Sequence, residues 1–155
     1  MIYSTGSFRR TFNSLASSKE NYNAVTFQQI ISGYEWTRIV LSSYCTDFEW
    51  LLSQFDGVAP AVPIALIAHY DRNSESPGLN IMKAKPLPGS RDNQRNVLIL
   101  SPHFPKFPNY GVMHCKLLIL FSRDILRIAV STANLVEYDY DQVQNVCRNL
   151  VLQRI

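Results

Sequence analysis

Two apolar runs set about three polar residues constrain this chain more than any other stretch of it. Met113–Phe121 and Ile125–Thr132 flank Ser122-Arg123-Asp124, a pattern that predicts an antiparallel hairpin. His114 and Lys116 lie two residues apart, so strand alternation puts both side chains on one face. With the turn centred on Arg123, His114 falls opposite Thr132, and Asn134 ends one step beyond it. An imidazole, an ammonium and a carboxamide are therefore expected together at one end of the hairpin.

The rest of the chain is long enough to build around that hairpin. Its 155 residues, 46% hydrophobic and 17% charged, suit one globular domain with a real core. A net charge of +3 permits an anionic partner without forming the basic stripe of a dedicated nucleic-acid binder. Cys45, Cys115 and Cys147 are odd in number and show no CxxC pairing, as expected of reduced, mostly buried thiols in an intracellular protein. No apolar run approaches the roughly 20 residues that span a bilayer, so no membrane partner is expected. Residues 1–20 carry Arg9, Arg10, Lys19 and several serines, with no acid before Glu20. They read as a polar, poorly ordered leader with a weak likeness to an organellar transit peptide, which leaves 21–155 as the folded unit.

Local signals place the other elements. Thr26-Phe-Gln-Gln29 has the form of a capping box and predicts a short helix through Ile30 and Ile31, stopped at Gly33. Trp36–Tyr44, aromatic and β-branched, fits either a strand or the approach to the next helix. Thr46-Asp-Phe-Glu49 is a second capping box, and Phe48, Leu51, Leu52 and Phe55 at helical spacing predict a helix over 46–55. Ile64–Tyr70 and Val97–Leu100 read as buried strands, with a loop region between them that holds a short strand at Ile81–Ala84. Pro102, Pro105 and Pro108 break regular structure before the hairpin, and Asn145–Leu152 supplies a last strand. The predicted fold is α/β, a mixed β-sheet flanked by helices.

The cluster's chemistry suits an anion. Lys116 offers a point charge to a phosphate oxygen, and Asn134 donates from its amide. His114 is able to act as nucleophile or proton carrier near neutral pH. With no carboxylate in the cluster and no second His or Cys at ligand spacing, a metal site is disfavoured.

His114-Cys-Lys116 followed by Ser131-Thr-Ala-Asn134 resembles the first half-motif of the tyrosyl-DNA phosphodiesterases, a branch of the phospholipase D superfamily. The wider superfamily places an Asp five residues after the Lys; Phe121 stands there, as in the tyrosyl-DNA branch. Val25–Ile31, Asp47–Leu52 and Asn134–Asp139 agree with it, and the resemblance covers residues 10–146. It implies one phospholipase D-like N-terminal half-domain and a DNA-repair phosphodiesterase that hydrolyses the 3′-phosphotyrosyl bond between DNA and stalled topoisomerase I. By position, His114 is the nucleophile that forms a phosphohistidine, and Lys116 and Asn134 hold the non-bridging oxygens. Tyr110 stands where the family contacts a nucleobase, and Gly111 lets backbone approach the phosphate. The implied partner is a DNA 3′ end, single-stranded or nicked, bearing a tyrosyl peptide. Nuclear localisation follows from the family, whereas the leader's composition also fits a mitochondrial address.

The chain departs from the family in carrying one His/Lys/Asn set. His69 is followed two residues later by Asp71, and His103 by Pro105, so neither opens a second His-x-Lys. The second set must then come from a missing half-domain or a second copy, and the isolated chain is expected to be impaired, with an apolar surface left open. The family's imidazole-orienting Gln has its counterpart at Gln144 or Asn145, and the likeness fades after Val146. A non-catalytic half-domain that binds DNA ends is the alternative function.

Overall fold

Of the three short helices among the described residues, two begin where a local side chain meets a first-turn N–H group. The computed structural model describes residues 2–3, 6–56, 58–59, 62–69, 78–83, 96–102 and 112–153. Helix α1, Phe27–Ile31, starts on Thr26 with both arms of the capping box formed, Thr26 Oγ1 accepting from Gln29 N–H and Gln29 Oε1 from Thr26 N–H. Gly33 lies just past its end at φ 97°, a conformation that suits glycine.

Helix α2, Phe48–Ser53, departs from expectation at its cap. Asp47, not Thr46, accepts from the N–H of Trp50. Thr46 is instead drawn into an isolated parallel bridge with Leu135, so the helix can start only one residue later. The carboxylate also complements the positive end of the helix. Asp47→Ala is expected to cost about 1 kcal/mol in denaturant unfolding. Thr46→Val should cost little, because Thr46 Oγ1 is buried without a hydrogen-bond partner among the described residues. Helix α3, Glu137–Asp141, was not anticipated; it lacks a side-chain cap and holds through packing of Tyr140.

The strands are β1 Ile2–Tyr3, β2 Ser7–Arg10, β3 Arg38–Ser43, β4 Ile64–Ala68, β5 Gly78–Lys83, β6 Asn96–Ser101, β7 Leu117–Phe121, β8 Ile125–Ser131 and β9 Val146–Gln153. Among the described residues they form one sheet in the order β1-β9-β8-β7-β3-β4-β6-β5, with β2 also paired to β9. β3, β4 and β6 run parallel to one another, and the other pairings are antiparallel. The mixed α/β sheet is therefore as expected.

Several boundaries are not. β5 begins at Gly78, three residues before the strand expected at Ile81–Ala84. Residues 7–10, expected in a poorly ordered leader, pair with Val146–Asn149. β9 continues to Gln153, past the point where the family likeness was expected to fade. Of the three cysteines only Cys147 is buried, its thiol pushed up to about 11 by burial, while Cys45 and Cys115 are exposed.

All three helices lie on one face of the sheet. There Ile39, Leu41, Leu66, Leu118 and Leu120 pack against Phe27, Leu51, Phe55 and Tyr140. Arg127 reaches from β8 under α1 and donates to the carbonyls of Ile30 and Ser32, with Tyr34 and Trp36 ringing its guanidinium. Burial lowers its pKa, and Tyr34 partly offsets that. The carbonyls at the end of α1 thus gain a cation. Strand alternation sends Ile67, Leu98, Leu100, Ile119, Ile128 and Val130 to the other face, where no described helix packs. Leu98, Leu100 and Val130 are exposed.

Candidate active site

Four segments meet at one end of the sheet. Tyr44 and Cys45 follow β3, His69 follows β4, residues 112–116 lead into β7, and Thr132–Asn134 leave β8. These are the carboxyl ends of the parallel strands β3 and β4, where open α/β sheets commonly hold ligands. The hairpin of β7 and β8 is present, turning at Arg123-Asp124 with Ser122 N–H donating to Ile125 O at 2.8 Å.

Its register differs by one from expectation. Leu117 faces Val130 and Phe121 faces Leu126, so the centre lies between Arg123 and Asp124 rather than on Arg123. Continued outward, that register sets His114 against Ala133, not Thr132. The ladder stops before then. Its last link is Ser131 N–H to Lys116 O at 3.1 Å, and residues 112–116 have no regular structure. Strand alternation therefore does not place His114 and Lys116.

They meet nonetheless. Lys116 Nζ lies 3.0 Å from both ring nitrogens of His114 and donates to the His114 carbonyl at 3.2 Å. An ammonium only donates, so the ring nitrogen it bonds offers a lone pair. Lys116 is 6% exposed, whereas His114 is exposed. A buried cation under a solvent-facing imidazole is an arrangement suited to an incoming anion.

Asn134 is held separately. Its backbone N–H (2.6 Å) and its Nδ2 (3.0 Å) both donate to Asp139 Oδ2 on α3, and its Oδ1 accepts from Cys45 N–H at 3.3 Å. The second hydrogen of Nδ2 remains for a ligand. The structure thus joins His114 to Lys116 directly and brings Asn134 to the same end of the sheet through other partners. Tyr110 and Gly111 lie outside the described residues.

Asp139→Ala is expected to free the Asn134 side chain and lower stability by about 1.5–3 kcal/mol, the scale of bonds to a charged acceptor. Urea denaturation measures it, and Asp139→Asn, which retains an acceptor, should lose less.

Among the described residues neither Gln144 nor Asn145 bonds an imidazole. Gln144 bonds Arg10 and the Glu20 carbonyl. Asn145 accepts from Thr132 Oγ1 and donates to Asp139 O, which ties the segment after β8 to α3. Three contributors escaped the sequence argument. Asp139 ends the Asn134–Asp139 stretch and holds Asn134 only once α3 forms, and Tyr44 and His69 become neighbours of His114 only in space. The Tyr44 ring lies 4.7 Å from that of His69 and 5.3 Å from that of His114.

Residues 7–152 match the tyrosyl-DNA phosphodiesterase family. The chain belongs to that family. The fold agrees: yeast tyrosyl-DNA phosphodiesterase superposes with a TM-score of 0.62 at 16% identity, covering 94% of this chain and 32% of the yeast chain. A histidine mutant of the yeast enzyme gives 0.64, at 16% identity over 94% of this chain and 33% of the mutant's. NucT from Helicobacter pylori gives 0.50 at 14% identity, covering 93% of this chain and 86% of NucT. This tyrosyl-DNA phosphodiesterase family member therefore spans about a third of the yeast enzyme and nearly the whole of NucT. The sheet architecture is the one these structures share.

Proposed function

We propose that the chain is the first half of a hydrolase acting on the 3′-phosphotyrosyl bond between DNA and stalled topoisomerase I. The observation that carries this reading is the buried Lys116 ammonium 3.0 Å from the ring nitrogens of the exposed His114. His114 attacks phosphorus; a P–N bond forms as the P–O bond to the tyrosine breaks. Lys116 and the free N–H of Asn134 stabilise charge on the non-bridging oxygens. Tyr110 and Gly111 would meet the DNA 3′ end. The departing phenolate needs a proton, and release of the phosphohistidine needs an activated water. Both belong to a second His/Lys/Asn set outside this chain, whether on a further half-domain or on a second copy. The apolar sheet face at Ile67, Leu98, Leu100, Ile119, Ile128 and Val130 is where we place that second unit, since water-facing area of this kind favours burial. The single His/Lys/Asn set supports the second reading, a half-domain that binds DNA ends without turnover. The nucleus is the proposed site of action, a mitochondrial one the alternative.

The purified chain is to be incubated with a 3′-phosphotyrosyl oligonucleotide across a dilution series. The expected monomer shows little multiple turnover, and 3′-phosphate product rises with the square of protein concentration if two copies complete the site. Binding to the oligonucleotide should weaken with salt as phosphate contacts are screened. Salt-insensitive binding would count against both readings.

A further inference from the structure

We propose that His69 is a positioning residue for His114. This rests on the reading of His114 as nucleophile and adds a part to that site. The segment carrying His114 has no strand ladder of its own, so something else must fix it. Met113, one residue before, is held twice. Its backbone N–H donates to His69 Nδ1 at 3.3 Å, and its side chain is buried with Sδ 3.4 Å from Ser42 Oγ. Ser42 also donates to the Cys115 carbonyl at 2.8 Å, which pins the residue after His114 to β3. His69 itself is anchored at the end of β4, where its N–H donates to Ser43 O at 3.4 Å.

The second link runs through rings. Tyr44, 38% exposed, packs beside both imidazoles, its centroid 4.7 Å from His69 and 5.3 Å from His114. Both rings therefore share one aromatic neighbour. Because Nδ1 accepts the Met113 amide, the neutral His69 carries its proton on Nε2. The backbone bond limits where the Cα of His114 sits, and the Tyr44 ring limits the sweep of its side chain. His69 touches no reacting atom in this scheme. It narrows the range over which the nucleophile wanders, the condition that positioned groups need for effective attack.

Three substitutions separate its two contacts. His69→Asn places an amide oxygen near the Nδ1 position and keeps the acceptor without the ring. His69→Phe keeps the ring and removes the acceptor. His69→Ala removes both. Two quantities are read on the full chain: hydrogen exchange of the Met113 amide by ¹H–¹⁵N NMR, and the rate at which phosphoramidate phosphorylates His114. In that probe reaction the P–N bond to ammonia breaks and the P–N bond to the imidazole forms, so neither DNA nor a second half-domain is required. His69→Asn should keep Met113 protection near wild type, while Phe and Ala lose about tenfold, the worth of one such bond. The His114 rate should fall several-fold in His69→Ala and recover in part in His69→Asn. Unchanged Met113 protection in His69→Phe overturns the proposal, as does a His69→Asn protein no better than His69→Ala. Loss of Met113 protection with an unchanged His114 rate also overturns it, since His69 would then be merely structural. The nucleophile reading fails separately, if DNA cleavage survives His114→Ala.

Discussion

His114→Ala is expected to remove the covalent protein–DNA adduct that the proposed mechanism predicts for the wild-type chain with a 3′-phosphotyrosyl oligonucleotide, and with it at least about 10³-fold of any cleavage. The reason is stoichiometric as well as energetic. The nitrogen proposed to take the phosphoryl group is gone, and water, without the base proposed to come from the second His/Lys/Asn set, attacks slowly. Lys116→Ala should lower adduct formation by about 10²–10³-fold, the range for losing one group that stabilises developing charge. It should also loosen His114, because Lys116 contacts both its ring nitrogens and its carbonyl. The adduct is read on a denaturing gel after acid-free quenching, since phosphohistidine is labile to acid. Wild-type adduct levels in His114→Ala would remove that residue from the nucleophile's role.

The largest loss of stability is expected at Phe27. Phe27→Ala should lower unfolding free energy by about 3–5 kcal/mol. In a domain of this size that moves the melting temperature by about 6–20 °C. Phe27 is 2% exposed and stands where the three helices meet. Its ring centroid is 5.2 Å from that of Trp50, 6.2 Å from that of Phe55 and 4.9 Å from that of Tyr140. Two of those contacts are edge-on, the geometry that aligns ring edge with ring face. Burial raises the Tyr140 phenol's pKa, so it remains a neutral ring at ordinary pH. The consequence reaches the site. Tyr140 follows Asp139, which holds Asn134, so an α3 without its packing partner should also release Asn134. Differential scanning calorimetry gives the first effect, and Asn134 amide shifts the second. A melting temperature unchanged within about 2 °C would show that Phe27 is not the junction of the helices.

How much of this was legible depends on how far apart the deciding residues lie. The capping box at Thr26 and Gln29 is a contact over three residues, and it formed as written. At Thr46 the same pattern misled, because Leu135 competes for that backbone from the far end of the chain. The hairpin runs were plain from composition and the polar turn. Their register was not, since both runs are largely apolar on both faces, so a one-residue slip, which exchanges the faces of one strand, still sets apolar residues against each other. The leader's pairing with β9 was equally hidden, as Ser7–Arg10 is exposed throughout and shows no apolar face to read.

By itself the chain's order of residues determined the hairpin's two runs and the family the chain resembles, and it proposed His114, Lys116 and Asn134 as one cluster at that hairpin's end. Motif residues and a polar turn suffice for that, without the register. Only the tertiary structure decided how each is held: Lys116 buried beneath His114, Asn134 fastened by Asp139 and the Cys45 amide, Met113 bonded to His69. Those contacts join β3, β4, β8 and α3, elements that meet only when the sheet assembles. Hydrogen bonds and ring contacts of this kind act over a few ångströms of space, and no periodicity along the chain encodes them.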